Sequence, residues 1–457
     1  AATPAAQVTA SPESMFQVES SGNGVVITGF ITTQAAGFSP NVVVPDTIGG
    51  KKVVGLKSKN FQNQDDDPIK PRYFAAMDGA KSVISIDMSN CTSLTTIDQG
   101  VFRGCNMLSY VKFPPQRFNI NTGAFDGCNS LTSVDLSNCW SIDAAAFRGC
   151  NRLQSVTFPT EHAYSIFEGA FMGCSSLNGI DLSQCLLVND HAFESCSDLT
   201  SVDLSNCTYG IGNAAFSNCA NLQSVTFPST SYRISDGAFS GCKSLTSIDL
   251  SNCIGIIPGE YQADQRGLWD YEKDVLGKAF DSCTNLTSVI WPADKMPKIP
   301  QTCFINCPNL KTFNSTTEGE LNLTGITSVG NGSFQNCSGI TSVTFPTENT
   351  YTLSDGAFSG CTGLTSIDLS NCTGITPGKE TSVIYGYKDT FGQAFGSCTN
   401  LTSVIWPTDK MPEIPQTCFN GCTNLKTFNS PTEGKLNLTG ITSVGNGSFR
   451  NCSGITS

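Results

Sequence analysis

Residues 131–150 read LTSVDLSNCWSIDAAAFRGC, and near-copies of this stretch recur along most of the 457-residue chain. A unit this short, about 20 to 50 residues, cannot bury its own apolar face, so copies must stack and share a core. The clearest marker is a Phe-x-x-Cys pair, repeated fourteen times from Phe102/Cys105 to Phe449/Cys452. Its first seven phenylalanines, from Phe102 to Phe239, lie 22 to 24 residues apart. The repeat therefore overrides the usual expectation that a chain of this length makes about three globular domains.

Within the unit, Leu131, Val134 and Leu136 are spaced L-x-x-L-x-L, and polar Ser133 and Asp135 alternate with the last two. That period of two predicts a half-buried strand. Cys139 falls at the Asn/Cys position that closes such a strand. Ala146-Phe147 to Gly149-Cys150 predicts a short helix or 3-10 turn. Strands are expected to line a concave face and the Phe turns a convex one, with Phe and Cys pointing inward. The fold class is an α/β solenoid with a parallel β-sheet and an N-terminal β cap.

The unit resembles the BspA-type (Treponema-like) leucine-rich repeats, whose coil runs close to LTSVTFPSTVTSIGDGAFSGC; residues 222–242 read LQSVTFPSTSYRISDGAFSGC. The resemblance covers roughly residue 83 to the end. It implies a right-handed solenoid on the surface of an anaerobic or mucosal microbe. It also implies an adhesin-like role with host matrix-type proteins or neighbouring cells as partners, and no shared catalytic residues.

Along the chain, residues 1–15 are Ala/Thr/Pro/Ser-rich and read as a flexible linker after a removed signal or anchor, which gives a secreted or cell-surface location. Residues 16–61 read as the N-terminal β cap region, from the turn at 20–24, the following Val25-Val26-Ile27, and NVVVPDTIGGKKVVGL at 41–56. Residues 62–82 are an inserted loop whose three aspartates lack EF-hand spacing. Residues 83–457 are the solenoid, about 14 coils, with long loops at 254–278 and 373–393. The sequence stops where an earlier copy begins a strand, so the native protein is expected to continue.

Two coil types alternate, one ending its strand in Asp-Leu-Ser-Asn-Cys and the other in Val-Thr-Phe-Pro. The concave face should be small, polar and mildly acidic, with Ser133, Asp135, Asp203, Asp249 and Asp368 among its outward positions. Residues 235–259 recur at 354–378, and 279–342 recur nearly verbatim at 394–457, at offsets of 119 and 115. The intervening loops and the WPADKMPKIP and WPTDKMPEIP segments supply the binding candidates: Tyr261, Trp269, Tyr271, Trp291, Tyr385, Tyr387 and Trp406. For the two tryptophans, exposure and packing onto the solenoid edge are equally open.

Of the 22 cysteines, fourteen occupy the Phe-x-x-Cys position and six the strand-end position, both inward, with Cys303 and Cys418 extra. Stacked Cβ vectors run parallel instead of converging, which favours buried thiols, with adjacent-coil disulfides as the alternative. Cofactors and metals are expected to be absent: no C-x-x-C occurs and there are 2 histidines. No catalytic motif is present. A net charge of −12 without a basic patch argues against nucleic acid, and no apolar run is long enough to span a membrane. The sequence thus points to a non-enzymatic binding scaffold. A structural stalk or spacer is the alternative, and a glycan-active enzyme a remote one.

Overall fold

A computed structural model describes residues 9–32, 39–58, 76–257, 277–376 and 392–455. The chain forms two compact units, residues 1–228 and 229–457. Each is a stack of coils joined by parallel strands.

Most coils contribute two strands. The first is the anticipated one: Ser133–Asp135 pairs in register with Ser155–Thr157, and Ser201–Asp203 with Ser224–Thr226. The second was not anticipated. It begins at or near the strand-end cysteine, as in Cys139–Ile142, which pairs with Phe118–Ile120 and with Tyr164–Ile166. In unit 1 this second row runs from Gly24–Phe30 through Lys51–Leu56, Thr96–Ile97, Phe118–Ile120, Cys139–Ile142, Tyr164–Ile166 and Cys185–Val188 to Gly210–Ile211. The N-terminal region joins both rows, since Asn41–Val43 pairs with Ser85–Asp87 in the first. Phe16–Ser21 is an antiparallel partner to Gly24–Phe30.

The third side of each coil, expected to be a short helix or 3-10 turn, is a turn closed by i→i−3 hydrogen bonds. The reason is in the backbone. The residue before each Phe-x-x-Cys cysteine lies in the left-handed region, as in Gly149 (φ 69), Ser195 (φ 62) and Asn336 (φ 62), which stops a right-handed helix after one turn. Glycine, asparagine or serine stands there because few other residues tolerate it. Alternate amides then bond to the adjacent coil: Phe125 N–H donates to Ala146 O at 2.8 Å and Gly127 N–H to Arg148 O at 2.7 Å. The amides between them close i→i−3 turns within the coil, such as Cys128 N–H to Phe125 O at 3.1 Å.

The core is a column of phenylalanines. In unit 1, Phe125 and Phe147 lie 5.1 Å apart at 3°, and Phe171 and Phe193 5.4 Å apart at 4°. In unit 2 the spacing from Phe280 to Phe304 is 5.6 Å. Every ring from Phe102 to Phe239 in that column is fully buried, contributing about 1.5–3 kcal/mol each. A second aromatic row meets it edge-on, for example Phe158 against Phe171 at 75°.

All 22 cysteines are free thiols and buried. Those of the Phe-x-x-Cys set have a regular partner. Cys150 Sγ–H donates to Phe125 O at 3.2 Å, Cys196 to Phe171 O at 3.3 Å, and Cys337 to Phe304 O at 3.1 Å. The Phe125 and Phe171 carbonyls already accept the amides of Cys128 and Cys174 in their own turns, so there the thiol fills the second lone pair.

Candidate binding surface

The outward positions of the first strand row are polar. Ser133, Asp135, Asp203, Asp249 and Asp368 are all exposed. Their recurrence has a local cause: the Oδ1 of Asp135, Asp203, Asp249 and Asp368 accepts the amide of Ser137, Ser205, Ser251 and Ser370 at 3.0, 2.9, 2.9 and 2.9 Å. The carboxylate closes the turn between the two strands, as short polar side chains commonly do. Departures from this polar pattern are few. Tyr110 is 51% exposed, and Ile290 and Ile405 stand outward at 47% and 48%. Ile290 is in register with Asp249, and Ile405 with Asp368.

The second row carries a more concentrated feature. Its pairing shifts by one residue between Cys139 and Ser141, a bulge that turns Trp140 out of the ladder. The indole is 51% exposed. Arg117, from the preceding coil, holds its guanidinium carbon 4.7 Å from the ring centre. His162, from the following coil, stacks on it at 5.1 Å and 22°. His162 Nε2 lies 3.1 Å from the Cys139 carbonyl oxygen, which fixes the imidazole beside the indole. The same register shift recurs between Tyr164 and Ser165 opposite Cys185 and Leu187, leaving Leu186 as the extra residue. Tyr209 N–H donates to Leu186 O at 3.0 Å, and its ring is 74% exposed. Arg117, Trp140, His162, Leu186 and Tyr209 thus mark a strip along successive coils. The sequence reading missed this strip. Its signal is a large residue directly after the strand-end cysteine, as at Trp140, Leu186 and Ile254.

Two sequence candidates are corrected. Trp291 and Trp406 are each 3% exposed and present no surface for a partner. Their indole N–H groups donate to Met296 O and Met411 O at 2.8 and 2.7 Å, and the rings meet Phe304 and Phe419 edge-on at 70° and 71°. Val-Ile-Trp-Pro simply stands where other coils have Val-Thr-Phe-Pro, so the tryptophan takes the second aromatic row of the core. Tyr261, Trp269, Tyr271, Tyr385 and Tyr387 lie outside the described residues. Among the described residues, no group of three metal-ligating side chains converges and no helix is long and apolar enough to cross a membrane.

Stacked parallel strands, a phenylalanine column and an Asn/Cys-closed strand define a leucine-rich repeat solenoid. The family model for the BspA-type leucine-rich repeat region matches residues 73–197, 187–262, 273–378 and 386–457. The chain belongs to this family. A leucine-rich repeat protein from Bacteroides ovatus is similar in structure, with a TM-score of 0.55 at 20% identity over 91% of this chain and 92% of that one. A leucine-rich cell surface protein from Faecalibacterium prausnitzii aligns over 98% and 94% at 17% identity, TM-score 0.37. The Treponema pallidum leucine-rich repeat protein aligns over 52% and 91% at 23% identity, TM-score 0.35. No curated protein matches the chain.

Proposed function

We propose that the protein is a non-enzymatic, secreted or cell-surface binding scaffold that contacts a matrix-type host protein or a neighbouring cell in the manner of an adhesin. The observation that carries this reading is the Arg117–Trp140–His162 stack. The bulge costs ladder pairing at this coil and puts a half-exposed tryptophan on the surface. Trp, Tyr and Arg are the residues that most often anchor protein interfaces. The polar first row, by contrast, is explained by turn closure and needs no ligand. Membership of a repeat family of binding scaffolds supports the reading, as does the extended surface that stacked coils provide. The loop residues Tyr261, Trp269, Tyr271, Tyr385 and Tyr387 are proposed as further contacts.

The test is binding of the intact chain to immobilised extracellular-matrix proteins and to whole cells. Trp140→Ala is expected to weaken binding about tenfold or more while the melting temperature holds. Binding indifferent to Trp140→Ala, Tyr209→Ala and loss of the 260–278 and 379–393 loops would sink the assignment. Absence of all binding would favour the spacer role, which the near-verbatim duplication also suits.

A further inference from the structure

In unit 2 the second strand row is interrupted. Among the described residues, Cys253–Ile257 pairs with Tyr232–Ser235 on one side and is the last strand of its sheet. Lys298–Ile299, in the next coil, begins a separate sheet. The two coils are still neighbours on their other sides. Ser247–Asp249 pairs with Ser288–Ile290, and Phe239 N–H donates to Ala279 O at 2.9 Å. They touch along two rows and part along the third.

The sequence explains the parting. The path from Ile290 to Ile299 is two residues longer than that from Asp135 to Ile142, and Pro297 and Pro300 flank the strand. Proline donates no ladder hydrogen bond and sits at sheet edges. The result is a groove of about 280 Å³ whose lining includes Ile254, Ile256, Met296, Pro297, Lys295 and Lys298. Two strand edges face it, its floor is apolar, and the only charged side chains among its lining residues are lysines.

We propose that this slot takes an extended peptide of a partner protein by strand addition, one whose apolar residues alternate with acidic ones. A strand sends alternate side chains to opposite faces. Apolar residues would enter beside Ile254, Ile256 and Met296, and acidic ones would meet the exposed lysines. Backbone groups of the peptide would pair with the side of Cys253–Ile257 that no described strand occupies, the mode by which sheet edges recruit peptides. The duplication supplies a built-in comparison. Cys372–Thr376 also ends its sheet, and Glu413–Ile414 begins another. There, however, Thr373, Thr376 and Glu413 stand for Ile254, Ile257 and Lys298. The second slot is more polar and lacks one of the two lysines, so an acidic peptide is selected by the first alone. The proposal rests on the protein-binding reading for its kind of partner, but it uses none of the Trp140 strip, so the two fail separately.

The experiment is fluorescence polarisation of the intact chain with a labelled heptapeptide alternating valine and glutamate, together with amide exchange. Saturable binding is expected, with slowed exchange across residues 253–257. Lys298→Glu should weaken it about fivefold or more, Trp140→Ala should leave it unchanged, and N-methylation of alternate peptide amides should abolish it. Three results would overturn the proposal: no saturable binding, binding indifferent to both Lys298→Glu and N-methylation, or binding only after residues 258–276 are deleted. The last would mean that the chain's own segment holds the slot.

Discussion

The cysteine is the residue that makes this coil. It fills the narrow space behind each phenylalanine and gives a carbonyl of the preceding coil a second donor. Burial raises the pKa of cysteines in both sets: Cys105, Cys139 and Cys219 are pushed up to about 12. In the unfolded chain a thiol titrates near about 8.5. The folded state therefore holds these protons more tightly, and the stabilisation is present in full below that value and lost as pH climbs towards the folded one. Alkaline unfolding should begin above about pH 9 and be complete near about 12, read by circular dichroism. A thiol count at pH 8 should find almost no reactive group in the native protein and all 22 after denaturation under argon. A much lower denatured count would mean disulfides. Substitution separates core from surface in the same way. Phe171→Ala is expected to cost about 3–5 kcal/mol, and Trp140→Ala under about 1 kcal/mol, by chemical denaturation.

At the scale of the element, the described chain after each long loop is held at a defined point. Asp236 Oδ1 accepts Lys278 N–H at 2.7 Å, and Asp355 Oδ1 accepts Gln393 N–H at 2.6 Å. Burial raises the pKa of both carboxyls, against the opposing pull of those amides. Asp236→Ala should destabilise the protein by about 1–3 kcal/mol, while Asp236→Asn, which keeps an acceptor oxygen, should restore most of that. The two rows of strands differ in how readable they are. The first follows L-x-x-L-x-L and is plain in the sequence. The second is two to five residues long in most coils, too short to show a period, and its buried residues, such as Ile142, Ile166 and Ile211, recur singly. Trp140 was hidden for a related reason: the large residue after the strand-end cysteine marks the position, but its exposure comes from a one-residue register shift that shows only in the pairing. Trp291 was legible in principle, because its Val-Ile-Trp-Pro frame matches that of the buried phenylalanines. The turn side was read as a short helix or 3-10 turn ended at Gly149-Cys150, and the left-handed residue ahead of each cysteine selects the turn.

At the scale of the molecule, near-identical sequences stack in series: residues 279–342 recur nearly verbatim at 394–457. Stability in such a stack is a sum over neighbours, so opening proceeds coil by coil from wherever cover is thinnest. The thiol rows give that process a direction in time. A coil that opens in air offers its cysteine to oxidants, and a sulfenic or sulfinic group is too polar to return behind a phenylalanine. An opening that carries a thiol on to the irreversible sulfinic state cannot be undone by reclosing, so loss of the stack in air is expected to proceed in steps of one coil.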